Sequence, residues 1–253
     1  MLLIRYEADG AIRHGVLEGD QISEIEGDFF GELRRTGRKD DLSGVAVRHP
    51  TTPSKIINLA GNYLSHMGDR PPFDKPQPFV ATPSSALDPD APIVILPEAH
   101  NVHYEGEMAV IIGRRASGIE PSQVRRHILG VCAANDVSER DWQGGDDKDV
   151  QWWRAKSADT FSPFGPVIAT DLDYSNLDLT TRLNGATVQS CNTSQLIFGV
   201  DEIVSFVSRF MTLEPGDAVF TGTSGETSRM QDGDLVEVEL SGCGVLRNPV
   251  RQG

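Results

Sequence analysis

Only one long stretch of this 253-residue chain carries a clear helical stripe. Over residues 200–211, Ile203, Val204, Val207, Phe210 and Met211 recur at helical spacing, which predicts an amphipathic helix. Most other apolar residues fall in short runs broken by Gly, Pro, Asn and Asp, the pattern of strands joined by turns. Such runs cover 55–60, 107–112, 131–136, 167–169, 179–183, 218–221, 235–240 and 244–249, and Asn184-Gly185 reads as a hairpin turn. A short helix is expected over 29–35, ended by Gly37, and another over 121–129. The strand–helix alternation of a doubly wound parallel sheet is missing, so the expected class is β-rich α+β.

Residues 1–52 read as a small α+β module. Strands at 2–6 and 12–17 flank the Ala8-Asp9-Gly10 turn, and 22–25 supplies a third. The link Thr51-Thr52-Pro53-Ser54 opens a larger unit, 53–253. Residues 61–69 suit a short helical turn, which Arg70-Pro71-Pro72 stops. Residues 71–92 are rich in proline and lack periodicity, as expected of a long loop that could act as a lid.

Charge narrows the function. The net charge of −14 and pI near 4.8 disfavour nucleic acid and acidic membrane surfaces as partners. No run approaches a membrane span, and Met1-Leu2-Leu3-Ile4-Arg5 lacks the layout of a signal peptide. Cys132, Cys191 and Cys243 are far apart and odd in number, which suits buried thiols of a cytoplasmic protein. Walker, G-x-S-x-G, H-E-x-x-H and G-x-G-x-x-G motifs are absent, leaving metal-assisted chemistry as the surviving enzyme class.

The candidates for that chemistry lie between Val102 and Lys156. Strand alternation puts Glu105 and Glu107 on one face, where two carboxylates repel unless a cation lies between them. Many other acid-x-acid pairs share the spacing; this one stands at the entry to an apolar strand, where idle charge is costly. Asp136 would complete a hard oxygen site for Mg²⁺, Mn²⁺ or Ca²⁺, or else caps its strand. Lys156 could bind a substrate carboxylate or enolate, or lie as a snorkelling surface lysine. His66 and Asp69, three apart on one helical turn, suit a general base and its orienting acid, although a lone H-x-x-D is often structural. The other histidines, His14, His49, His100, His103 and His127, read as structural.

Several segments, taken in order, resemble the fumarylacetoacetate hydrolase family, its acylpyruvate hydrolase-like branch in particular. They are Tyr104-Glu105-Gly106-Glu107, Ala134-Asn135-Asp136-Val137-Ser138-Glu139-Arg140-Asp141-Trp142-Gln143, Lys156-Ser157-Ala158-Asp159-Thr160-Phe161, Thr221-Gly222-Thr223 and Leu246-Arg247-Asn248-Pro249-Val250. The resemblance implies a mixed β-roll catalytic domain behind a small N-terminal domain, a homodimer, and Mg²⁺ or Mn²⁺ held by Glu105, Glu107 and Asp136. It implies that Arg140, Gln143 and Thr223 line the substrate site with Lys156, and that His66 and Asp69 lie on a lid. The implied function is hydrolysis of a C–C bond in a small acylpyruvate or diketo acid, as in aromatic catabolism. Decarboxylation or isomerisation of a 2-oxo acid at the same site, and a non-catalytic binding role, are the alternatives. The chain departs from the family pattern at Asp69, where glutamate is usual, at Thr82, where lysine is common, and at Ala155, Ala158 and Ser224.

Overall fold

The computed structural model describes residues 1–253, and its strands form three sheets. The largest has 12 strands. Its order is Arg35–Asp41, Gln21–Ile25, Ala11–Glu18, Leu2–Ala8, Ser162–Ala169, Ile128–Asn135, Gly106–Ile112, Ala218–Phe220, Ile56–Leu59 and Pro78–Ala81, with Ala46–Arg48 and Ala86–Leu87 paired beside it. A five-stranded sheet runs Ala186–Asn192, Asp178–Leu183, Leu235–Leu240, Gly244–Gln252 and Ile93–Ile95. The third pairs Val102–His103 with Ser138–Glu139. This is the β-rich α+β architecture expected. The N-terminal strands extend the large sheet directly, through Leu2 opposite Ala169 and Leu3 opposite Ile168.

The Gly106–Ile112 strand is buried along its whole length, because both its faces are covered. Met108, Val110 and Ile112 join the main core, with Leu179, Val236, Val238, Leu240 and Leu246 of the five-stranded sheet. Ala109 and Ile111 point the other way, into a second core with Leu3, Phe164 and Phe220. The two-residue period of a strand thus serves two cores at once, and a continuous apolar run is what that requires. Glu107 enters this strand fully buried at its Gly106 end.

Four expected elements differ. No helix forms over 29–35; a turn follows Ile25, and Arg35–Asp41 pairs back on Gln21–Ile25. Seven residues with Gly31 among them make a marginal helix; Asp28 Oδ1 instead accepts from Phe30 N in a bend, and only Arg35 joins the sheet. Residues 121–129 give a 3₁₀ helix, Pro121–Arg126, and then a strand. The long helix is Val200–Ser208, so Phe210 falls beyond its end and is 78% exposed. Within 71–92 the chain forms Pro78–Ala81, antiparallel to Ile56–Leu59, and Ala86–Leu87, parallel to Ser162–Ala169. Pro78 is tolerated because its strand is an edge, where one row of N–H groups needs no partner.

The two large sheets pack tightly at Gly106, where an added Cβ would stand 1.9 Å from Thr181 Oγ1 and 3.1 Å from Thr181 Cβ. Gly106→Ala should therefore lower stability by about 1–3 kcal/mol. The measurement is the urea unfolding midpoint, and an unchanged midpoint would show that the contact is not tight in solution.

Candidate active site

Glu105, Glu107 and Asp136 come together at the ends of two paired strands. The Asn135 side-chain oxygen accepts from Glu105 N at 2.8 Å, and Asp136 N donates to Glu105 O at 2.9 Å. These bonds hold the residues at the strand ends side by side. Each of the three acids offers an oxygen within 4.8 Å of the others, and all three are at least 96% buried by exposures of 4%, 0% and 1%. Gly222 N donates to Glu107 Oε2 at 2.6 Å, and Asn58 Nδ2 donates to Asp136 Oδ1 at 3.0 Å. Glu107 Oε1 is buried with no partner. At that separation each ionised pair repels by about 3 kcal/mol even at an effective dielectric constant near 20.

Two cations offset part of this. Lys156 Nζ lies 2.7 Å from Glu105 Oε2 and 2.5 Å from Asp136 Oδ2. Arg140 reaches Glu105 Oε1 at 2.6 Å and also donates to Gln143 Oε1 and Thr227 Oγ1. Lys156 is buried, so the snorkelling alternative does not describe it. Its short helix, Trp153–Ser157, starts after Trp152, whose backbone sits at φ 56° and whose carbonyl accepts from Lys156 N. A left-handed tryptophan costs on the order of 1 kcal/mol, and it sets where the lysine begins.

The carboxyls do not share charge evenly. Burial would raise Glu105, but Lys156, Arg140 and His66 outweigh it and hold that carboxyl below the usual range. Burial, then Asp136 and Glu105, push Glu107 well above that range. Burial also raises Asp136, to about 7, against the pull of Lys156. Lys156 loses solvation, yet Asp136 and Glu105 raise its pKa above the ordinary lysine value. Three oxygen donors with one orphaned lone pair suit a hard divalent cation, which would relieve both the repulsion and the unpaired Glu107 oxygen.

His66 lies in the same cavity but not beside Asp69. Its Nδ1 is 2.6 Å from Gly225 O. A carbonyl only accepts, so in the neutral ring Nδ1 carries the hydrogen and Nε2 is bare. Nε2 lies 3.8 Å from Glu105 Oε1. The helical turn is only Leu64–Met67; Gly68, at φ 57° and ψ −133°, bends the chain out before Asp69. Asp69 is therefore exposed and contacts neither His66 nor the carboxylates, and helical i, i+3 adjacency does not apply.

Arg140, Gln143, Lys156 and Thr223 line one cavity of about 380 Å³ with His66 and Glu105. Thr223 Oγ1 donates to Gly106 O and accepts from Gln189 Nε2. Sequence reasoning missed Asn58, Gln189, Thr227 and the backbone of Gly222 and Gly225, all of which hold the site by hydrogen bonds. It also missed Arg70, Phe73, Phe79 and Trp152 as cavity walls. His103, read as structural, lies 2.9 Å from Thr227 Oγ1, one step behind Arg140. Gly222 carried a usable signal: its φ of 100° and a would-be Cβ 2.8 Å from Asn62 Cβ explain a glycine inside Thr221-Gly222-Thr223.

The family model for the C-terminal domain of fumarylacetoacetate (FAA) hydrolase matches residues 55–251, and the Rv2993c-like N-terminal model matches residues 1–47. The chain is similar to a solved structure of 5-carboxymethyl-2-hydroxymuconate delta-isomerase from Mycobacterium smegmatis, with 37% identity, a TM-score of 0.93 and 100% coverage of both chains. It is 36% identical to oxaloacetate tautomerase FAHD2A, mitochondrial, of Bos taurus, over 79% of this chain and 67% of that protein. Maleylpyruvate hydrolase from Sphingobium sp. SYK-6, solved in complex with manganese (II) ion and pyruvate, is 25% identical, with a TM-score of 0.83 and 100% coverage of both chains.

Asp136 and Glu107 both have folded-state pKa values above those of an unfolded carboxyl. The stability they contribute is present below the ordinary carboxylate range and is lost as pH rises towards about 7 and beyond. The metal-free protein should therefore lose thermal stability as pH rises from about 5 to 8, and added Mn²⁺ should restore it with release of protons. Thermal scans and calorimetry in two buffers check this; a cation effect independent of pH, with no proton release, would show the carboxyls already ionised.

Proposed function

The chain belongs to the fumarylacetoacetate hydrolase family, and on that premise we propose that it is a divalent-metal-dependent enzyme that moves a proton at the carbon next to the carbonyl of a small 2-oxo acid. The reaction class is isomerisation or tautomerisation. The observation that carries this reading is His66, with Nδ1 tied to the Gly225 carbonyl and a bare Nε2 in the cavity that holds Glu105, Arg140 and Lys156.

Glu105, Glu107 and Asp136 would hold Mg²⁺ or Mn²⁺, whose charge supplies Lewis-acid polarisation of the 2-oxo acid when bound. Arg140 and Gln143 bind and orient the substrate carboxylate from the cavity wall. His66 Nε2 accepts the proton from the adjacent carbon and can return it at another position, because the Gly225 carbonyl keeps the ring in one tautomer. Negative charge that develops on the substrate oxygen is stabilised by the Lys156 ammonium, buried and desolvated where its field is strong. Two relatives named for isomerase and tautomerase reactions, at 37% and 36% identity, support this class.

Hydrolysis of an acylpyruvate is the second reading. The cavity of about 380 Å³ has room for more than a pyruvate skeleton, and a relative at 25% identity is named a maleylpyruvate hydrolase. There His66 would take a proton from water instead of carbon. Asp69 does not contact His66, so the paired base and acid expected to activate water is not formed, and this favours the first reading.

Two substitutions separate the roles. His66→Ala should lower turnover about 100-fold or more, whereas Asp69→Asn should cost less than about threefold. Deuterium exchange at the carbon beside the 2-oxo group of oxaloacetate, followed by NMR with Mn²⁺-loaded protein, reads the step directly. Exchange that survives His66→Ala would remove the base assigned here. Glu107→Ala should abolish both Mn²⁺ binding and exchange, and full exchange in chelator-treated protein would overturn the metal requirement.

A further inference from the structure

The two-stranded sheet stands behind one wall of the cavity. Its His103 pairs with Ser138, two residues before Arg140, and also bridges Arg229, two residues after Thr227. Arg140 N donates to Asn101 O at 3.0 Å, and Met230 N donates to Val102 O at 2.8 Å. Residues 101–103 therefore tie the segment that carries Arg140 to the loop that carries Thr227. The side chains along this seam form an unbroken series. Arg140 Nη2 donates to Thr227 Oγ1 at 2.8 Å, and His103 Nδ1 lies 2.9 Å from the same oxygen. His103 Nε2 lies 2.8 Å from Asn101 Oδ1, and Asn101 Nδ2 donates to Asp141 Oδ1 at 3.0 Å.

The two ends of the series fix where its hydrogens lie. A guanidinium only donates, so Thr227 Oγ1 accepts from Arg140 and its own hydrogen is free for His103 Nδ1. An ionised carboxylate only accepts, so Asn101 turns its NH2 to Asp141 and its oxygen to His103 Nε2. Both ends demand the same neutral ring, with Nε2 protonated and Nδ1 bare, the reverse of His66. We propose that His103 is a positioning residue: as the Nε2–H tautomer it takes the hydrogen of Thr227, which leaves the hydroxyl oxygen aimed at Arg140 and fixes that guanidinium for the substrate carboxylate. The assignment rests on the 2-oxo acid reading above, which gives Arg140 that carboxylate. His103 is not among the residues lining the cavity, so it acts only through Thr227. With the acceptor at Nδ1 removed, the hydroxyl turns freely, and Arg140 keeps only Glu105 and Gln143 as side-chain partners.

Two measurements on the full-length, Mg²⁺-loaded protein test this. The first is NMR of isotope-labelled histidine rings at neutral pH, with the His103 signals identified by their absence from His103→Phe. They should show hydrogen on Nε2 and none on Nδ1; the opposite tautomer, or a ring protonated on both nitrogens, overturns the assignment. The second is calorimetric binding of oxalate. His103→Phe and Thr227→Val should each weaken it about tenfold, and the double variant should be no weaker than either alone, because both cut the same series. Thr227→Ser keeps the hydroxyl and His103→Asn keeps an acceptor near the Nδ1 position, so each should bind within about threefold of the unsubstituted protein. Unweakened binding in His103→Phe overturns the assignment. So do additive losses in the double variant, or losses in the conservative variants as large as in the others, since a general disturbance of the structure gives both. Failure of the unsubstituted protein to bind oxalate overturns the 2-oxo acid reading and this assignment with it, and it is seen before any variant is compared.

Discussion

Three carboxyl groups forced together out of water are the constraint on which the rest of the site depends. Left alone, they would repel each other and lose hydration, a cost that a domain of ordinary stability cannot carry. The chain meets this in graded fashion. Glu105 is kept ionised by Lys156 and Arg140, while Glu107 and Asp136 are biased towards the protonated state. Such a cluster is of little use to a fold as a stability device, because apolar residues of similar volume would cost less. Its presence at the buried ends of two core strands is therefore an argument for cation binding, independent of any resemblance.

The loop from Thr221 to Thr227 holds this cluster to everything around it. Gly222 N caps Glu107, Thr223 bonds the strand at Gly106, Gly225 O fixes the His66 ring, and Thr227 holds Arg140. One short segment thus sets Glu107, His66 and Arg140 in mutual register. Reactivity depends on such distances to fractions of an ångström, and a loop with several hydrogen bonds to strands provides that rigidity.

How much of this was legible in the sequence follows from the range of each interaction. Strand periodicity located Gly106–Ile112, Leu235–Leu240 and most of the sheet, because the alternation records which face is covered. The residues 105, 107, 136, 140, 143, 156 and 223 were found through ordered motifs, and they do share one site. The helix expected over 200–211 ends at Ser208, since an apolar stripe does not reveal where it stops, and the one expected over 29–35 does not form at all. The His66–Asp69 pair failed for a local reason: adjacency at i and i+3 assumes a helix that continues, and Gly68 ends this one. Partners such as Gly225 O and Asn58 could not be read, because backbone acceptors carry no side-chain signature and Asn58 lies 78 positions from Asp136.

The two ends of the cavity are built from different material, and that division bears on how the chemistry is selected. The carboxylates stand at the ends of strands paired on both sides, so their positions are set by ladder hydrogen bonds and two cores. His66, Arg70 and Phe73 come instead from a single helical turn and the chain just after it, held by few bonds. Segments of that kind open at lower free energy than paired strands and accept substitution with less effect on the fold. On the proposed reading, holding and polarising the substrate falls to the rigid end and proton transfer to the adaptable one. On that reading, substitutions around residues 66–73 alter proton transfer while the strand-borne carboxylates keep their places.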